Sequence, residues 1–269
     1  MKKKTIIITG ASSGIGKACA NIFAQKGHQL VLAARNKDKL DACVNDLKSL
    51  NVECIGVPTD VSVEKDCENL INRCIEEFGK IDVMLNNAGI SMRALFSDVD
   101  LSVLKQVMDI NFWGTVYCTK FALPHIIKTQ GSVVGVSSIA GYKGLPGRTG
   151  YSASKFAMHG FLESIRIELL KKNVHVLLAC PGFTASNIRN TALNASGSKQ
   201  QESPMDEGKI MSAEEVGSEI YKAVIKRKRD LILTIQGKLT VSLNKFAPSF
   251  IDKKVYDHFA NEKDSPLKD

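Results

Sequence analysis

From Thr5 onward the chain alternates two hydrophobic rhythms, and this alternation limits the fold more than any other feature. Short β-branched or apolar runs at residues 5–9, 29–33, 52–57, 81–86, 132–137, 174–179 and 231–235 read as buried strands. Between them, residues 15–26, 37–50, 63–78, 101–125 and 151–170 repeat apolar side chains at helical spacing. Leu40, Cys43, Val44 and Leu47, for example, share one helical face. Pro124 interrupts the long 101–125 segment near its end. Ser212 and Glu215 have the spacing of a capping box and predict another helix, ending near residues 224–226.

Strands linked through helices pair in parallel, and right-handed crossovers distribute the helices over both faces. The expected fold is therefore α/β: a Rossmann-type, doubly wound, seven-stranded parallel sheet with helices on both faces. No internal break marks a second domain, so residues 1–269 read as one dinucleotide-binding unit. Two stretches leave the alternation. Residues 184–210 are polar, carry Gly197, Pro204 and Gly208, and are long for a connection, which suggests a substrate lid. Residues 238–269 mix Leu239, Leu243, Phe246, Phe250 and Phe259 with lysines, which suggests a C-terminal helical extension. Such a tail suits a dimer interface or a pocket wall better than a membrane surface.

Composition narrows the setting. Hydrophobic residues make up 44% of the chain, enough for a large core. The seven cysteines are scattered without a Cys-x-x-Cys pair, as expected for reduced thiols in a cytoplasmic protein. No metal-ligand spacing occurs, so no metal is expected. Lys2, Lys3 and Lys4 precede only Ile6, Ile7 and Ile8 before Thr9, too short a run for a signal peptide. No run reaches the roughly 20 apolar residues that span a bilayer. The net charge of +8 is dispersed and suits an anionic small ligand better than nucleic acid. The one tight cluster, residues 226–229, falls at a helix end, where it complements the dipole.

Three patterns carry chemistry. Gly10-x-x-x-Gly14-x-Gly16 follows the first strand and opens the first helix. Glycines there let the backbone approach a pyrophosphate at the helix N-terminus. After the second strand, where an NAD site wants a carboxylate, the chain has Ala34 and Arg35. A guanidinium suits a 2′-phosphate, and Ser12 and Ser13 add hydroxyls, so NADP(H) is preferred over NAD(H). Finally, Tyr151 and Lys155 are one helical turn apart, which brings a phenol beside an ammonium. The ammonium favours phenolate and pulls the phenol toward working pH. Together these point to hydride transfer between a nicotinamide and a carbonyl or alcohol.

Taken in order, the glycine pattern, Asn86-Asn-Ala-Gly89, Asn111-Phe-Trp-Gly114, Ser138, Tyr151-x-x-x-Lys155 and Pro181-Gly182 resemble the short-chain dehydrogenase/reductase family. The likeness is to its single-domain branch of about 250 residues, including NADPH-dependent carbonyl, hydroxysteroid and ketosphinganine-type reductases. The resemblance implies that Tyr151 is the general acid/base, that Lys155 bonds the nicotinamide ribose, and that Ser138 holds the substrate oxygen. It implies that Asn111 fixes a kink and a water leading from Lys155 to solvent. It also implies cofactor contacts from Gly10, Ser12, Ser13, Gly14, Ile15, Gly16 and Arg35. Asp60 and Val61 would lie beside the adenine, and Asn87, Ala88 and Gly89 along the adenosine ribose. Pro181, Gly182, Phe183 and Thr184 would flank the nicotinamide. For Asn87 a purely structural brace remains an equal alternative.

Ser137 competes with Ser138, but adjacent strand residues face opposite ways, and the family register selects Ser138. The five histidines fall outside every motif and read as packing or surface residues. A pocket wall of Ile90, Met92, Ile139, Leu145 and Phe183 predicts a hydrophobic carbonyl substrate, steroid-like or long-chain acyl. A homodimer or homotetramer is expected. The alternative is a catalytically silent NADP(H)-binding sensor or scaffold, against which Ser138, Tyr151 and Lys155 argue.

Overall fold

Seven strands form one parallel sheet: β1 (Thr5–Thr9), β2 (Gln29–Ala34), β3 (Cys54–Pro58), β4 (Val83–Asn86), β5 (Ser132–Val136), β6 (His175–Cys180) and β7 (Asp230–Ile232). Their spatial order is β3-β2-β1-β4-β5-β6-β7. The computed structural model describes residues 2–182, 184, 188–200, 210–262 and 265–268. The helices are α1 (Gly14–Gln25), α2 (Lys37–Ser49), α3 (Glu64–Phe78), α4 (Leu101–Met108), α5 (Gly114–Thr129), α6 (Thr149–Glu168), α7 (Ala213–Ile225), α8 (Ile235–Phe246) and α9 (Pro248–Ala260).

The strand period of two sorts the core into two layers. Ile6, Ile8, Leu30 and Leu32 pack with Phe23 of α1, Leu40 of α2 and Ile220 of α7. Ile7, Val31 and Ala33 face the other way, against Leu70 of α3, Ala122 of α5 and Leu162 of α6. Ile6, Ile7 and Ile8 are all fully buried. Each such side chain contributes roughly 1.5–3 kcal/mol of transfer free energy. Strand order reverses between β1 and β4, which opens a crevice at their carboxyl ends. All seven cysteines are buried and free of disulfides.

Three local expectations are corrected. Residues 101–125 are not one helix: α4 ends at Met108, a π-helical turn spans Asp109–Trp113, and α5 runs through Pro124 to Thr129. The interruption lies at Asn111, whose side chain is bonded outside its own helix. Its Oδ1 accepts from the Ile90 N–H at 2.8 Å and its Nδ2 donates to the Ile90 carbonyl at 2.9 Å. Pro124 removes one backbone donor, yet burial of Ala122 and Ile126 on either side keeps α5 intact. The last strand stops at Ile232 rather than continuing to residue 235. Thr234 caps α8 instead, its Oγ1 accepting from the Gly237 N–H at 3.1 Å, and Ile235 becomes helical. The third strand begins at Cys54, two residues later than the apolar run suggests. The Ser212/Glu215 capping box forms as predicted.

Candidate active site

The crevice above β1 and β4 is a cleft of about 410 Å³. Its floor begins at the turn between β1 and α1. Gly10 and Gly14 have φ of +64° and +52°, a region that L side chains avoid. A methyl group at Gly16 would lie 2.2 Å from the Gly10 carbonyl oxygen. Gly16 therefore serves to close the turn, while Gly10, Ser12, Ser13, Gly14 and Ile15 line the cleft. Ser13 begins α1 without a side-chain cap hydrogen bond, and the first turn contains no acidic residue. The helix start thus presents backbone N–H groups and its positive dipole end to the cleft, a fit for a pyrophosphate.

Asn87 braces this turn. Its Nδ2 donates to the Thr9 carbonyl at 2.9 Å and to the Gly10 carbonyl at 3.3 Å. Thr9 Oγ1 in turn accepts from the N–H groups of Asn87 and Ala88, both at 3.0 Å. The structure thus shows Asn87 as a brace that also lines the cleft with Ala88 and Gly89. Arg35 follows β2 and lines the cleft, with Asp60 and Val61 on the adjoining wall. Lys39, which the sequence reading missed, joins Arg35 there. Asn36 accepts from the Lys39 backbone N–H at 2.8 Å and so starts α2 with Lys39 in its first turn. A cation one turn beyond Arg35 was a legible signal.

At the far end α6 begins at Thr149 and places Tyr151 and Lys155 on its first two turns. Both line the cleft with Ser138, Pro181, Gly182 and Thr184. Ser138 starts a 3-10 turn, its Oγ accepting from the Ala140 N–H at 3.1 Å. The Ser138 hydroxyl and the Tyr151 phenol line the same wall of the cleft. Ser137 points elsewhere, with its Oγ 2.7 Å from His159 Nε2. His159 is buried beside Cys180 and edge-on to Tyr142, and desolvation holds its imidazole down to about 4. Asn111 does not line the cleft. It lies directly behind, tied to Ile90 and donating to Ser154 Oγ at 2.9 Å. Phe183 lies outside the described residues.

The electrostatics differ from the simple phenol–ammonium expectation. Desolvation pushes the Tyr151 phenol above its ordinary value. The Ser138 hydroxyl and the charges of Arg148 and Arg189 pull it back. Lys155 Nζ lies 5.7 Å from the centre of the Tyr151 ring and donates to the Val136 carbonyl at 3.0 Å. Burial lowers the Lys155 ammonium to about 8. Its positive charge is thus directed at a carbonyl and itself weakened by desolvation.

The pocket wall also needs correction. Ile90 and Leu145 line the cleft, joined by Ile188, Arg148 and Arg189. Met92 is instead fully buried in a satellite core with Val103, Val107 and Leu193. Ile139 packs toward α8, where a methyl at Gly237 would stand 2.8 Å from Ile139 Cδ1. The basic cluster at residues 226–229 makes internal contacts: Arg227 donates to the carbonyls of Gln130 and Asn173, and Arg229 pairs with Asp230. No helix among the described residues is long and apolar enough to cross a membrane.

Comparison with known proteins agrees with this architecture. Residues 4–196 match the family model described as short chain dehydrogenase. The chain is 32% identical over 271 residues to dehydrogenase/reductase SDR family member 7B of Mus musculus, covering 98% of this chain and 84% of that protein. It is 41% identical over 194 residues to 11-beta-hydroxysteroid dehydrogenase-like 4A of Arabidopsis thaliana, covering 71% of this chain and 64% of the plant protein. A short-chain dehydrogenase/reductase of Burkholderia phymatum, solved in complex with NAD, superposes with a TM-score of 0.82 at 25% identity, covering 93% and 95% of the two chains. The chain therefore belongs to the short-chain dehydrogenase/reductase family, oxidoreductases that move a hydride between a nicotinamide cofactor and a carbonyl or its alcohol.

Proposed function

We propose that the protein is an NADP(H)-dependent reductase of a hydrophobic ketone, or dehydrogenase of the matching alcohol, with Tyr151 as its acid/base. One observation carries this reading. A single cleft collects the glycine turn and Arg35 at one end and Ser138, Tyr151 and Lys155 at the other. The bound nicotinamide supplies the hydride. The Gly10–Ile15 turn and the start of α1 hold the pyrophosphate. Arg35, supported by Lys39, holds the 2′-phosphate, and the end of β2 carries Ala34 and Arg35 in place of a carboxylate. The Burkholderia relative binds NAD, so the preference rests on these two cations.

In reduction, Ser138 Oγ orients the substrate carbonyl and Tyr151 gives its phenolic proton to the carbonyl oxygen. A phenol held above its ordinary value is fully protonated at neutral pH, which suits a proton donor. Lys155 holds the nicotinamide ribose, and Asn111 fixes the backbone at Ile90 behind it. Pro181, Gly182 and Thr184 form the nicotinamide wall. Ile90, Leu145 and Ile188 give the substrate end its apolar surface. Of the 184–210 segment, proposed as the lid, Ile188 and Thr191 reach the cleft, while residues 185–187 and 201–209 lie outside the described residues. The likeness to 11-beta-hydroxysteroid dehydrogenase-like proteins agrees with a bulky apolar ketone. The test is loss of nicotinamide absorbance with NADPH or NADH over a panel of steroid ketones, sphingoid ketones, β-ketoacyl thioesters and aldehydes. Turnover of an apolar ketone with NADPH ahead of NADH is expected. Equal use of NADH, or rejection of every apolar ketone, overturns the assignment.

A further inference from the structure

The C-terminal segment is fastened to the active-site loop by a buried charge cluster. Glu262, just beyond α9, is buried, and its Oε1 accepts from Arg148 Nη2 at 3.4 Å. Its Oε2 lies 3.4 Å from Arg93 Nη2. The Arg148 guanidinium also stacks over the Phe259 ring at 4.5 Å. Arg148 is itself buried, lines the cleft, and immediately precedes α6, the helix that carries Tyr151. The same loop is held by an ion pair between Lys143 and Asp252 of α9 and by a hydrogen bond from Asn244 of α8 to the Tyr142 carbonyl. A methyl at Gly147 would stand 3.3 Å from Pro266.

We propose that Glu262 is a positioning residue for the reaction: it anchors Arg148 against the cleft wall beside Tyr151, so that the C-terminal segment completes the active site. A buried carboxylate shared by two guanidiniums is costly to desolvate and holds its place only where both partners are fixed. Here Phe259 covers one face of Arg148 and Glu262 holds its edge. Arg148, at the start of α6, and Tyr151 line the same cleft, so the guanidinium favours the phenolate and the phenolate favours the guanidinium. Among the described residues, Ser138, Cys180, Arg189 and Lys155 also face Tyr151, and Glu262 forms its ion pairs with Arg93 and Arg148.

This inference rests on Tyr151 as the acid/base, and the experiment separates the two. The enzyme is labelled with [13Cζ]-tyrosine, saturated with NADP+, and titrated by NMR. The resonance missing from Tyr151→Phe identifies Tyr151 without any substrate. Glu262→Ala is expected to raise the titration midpoint of that resonance by about one pH unit, because Arg148 swings away. Loss of a carboxylate acting by charge alone would lower the midpoint, since it removes a negative neighbour. A lowered or unchanged midpoint therefore overturns the proposal. Glu262→Gln, which keeps an acceptor and the side-chain shape, is expected to shift the midpoint less than Glu262→Ala, and it carries the test if Glu262→Ala does not fold. In an Arg148→Met background, Glu262→Gln should add no further shift. Additive shifts would show that Glu262 does not act through Arg148. Retained turnover in Tyr151→Phe would instead sink the acid/base reading on which the inference depends.

Discussion

At the nucleotide end of the cleft, Gly10, Ser12, Ser13, Gly14 and Ile15 come from one short turn between β1 and α1. At the substrate end, Ser138 leaves β5, Tyr151 stands on α6, and Arg148 is held by Glu262, 114 residues further along. The first region works through backbone: glycine dihedrals and N–H groups that any sequence with those glycines presents. The second works through side chains brought together by the whole sheet. A cofactor shared by many enzymes can be held by a local device, whereas a substrate wall must be assembled from distant parts.

Breaking the substrate end at its centre has the largest expected effect. Tyr151→Phe removes the proposed proton donor and keeps the ring, so kcat should fall by about 10²–10⁴-fold. NADPH affinity, followed by nicotinamide fluorescence, should stay within about twofold if the two ends are independent. Breaking the nucleotide end is expected to do less and to act on a different quantity. In the proposed reading, Arg35→Asp exchanges a charge-assisted bond to the 2′-phosphate for repulsion. The ratio of kcat/KM for NADPH over NADH should then drop by about 10–100-fold, with kcat on NADH little changed. An unchanged ratio would move the phosphate site to Lys39 or elsewhere.

The smallest effect concerns stability and lies behind the substrate end. Burial holds His159 down to about 4 from 6.5. Between those values the unfolded chain binds a proton that the folded chain refuses, so stability rises as pH climbs through this window. His159→Gln should flatten that rise by up to about 3 kcal/mol, read from urea unfolding at the two ends of the window. A slope equal to that of the wild type would place the buried charge cost on another histidine.

The two ends also differ in how far they could be read in advance. The alternation that built the sheet, the glycine turn, Arg35 and the Tyr151–Lys155 spacing were all visible, because each depends on residues a few positions apart. The split of residues 101–125 at Asn111 was not, since the partner that causes it is the Ile90 backbone across the crevice. Met92 and Ile139 read as pocket wall from their position beside motifs, but packing against Leu193 and α8 removes them from it. The phenol's environment was misjudged for the same reason. Spacing put Lys155 beside Tyr151, whereas the fold buries the phenol, directs the Lys155 ammonium to the Val136 carbonyl and places Arg148 in the same cleft wall.

The sequence by itself determined the doubly wound sheet, the glycine turn after β1 and the spacing of the proposed catalytic residues, because hydrophobic period and turn chemistry act over one or two turns of chain. Only the tertiary structure decided the shape and charge of the substrate end. His159 under Ser137 and Glu262 behind Arg148 are pairings across packed elements. Desolvation and Coulomb terms depend on distance in space, and a linear chain does not carry that distance until it is folded.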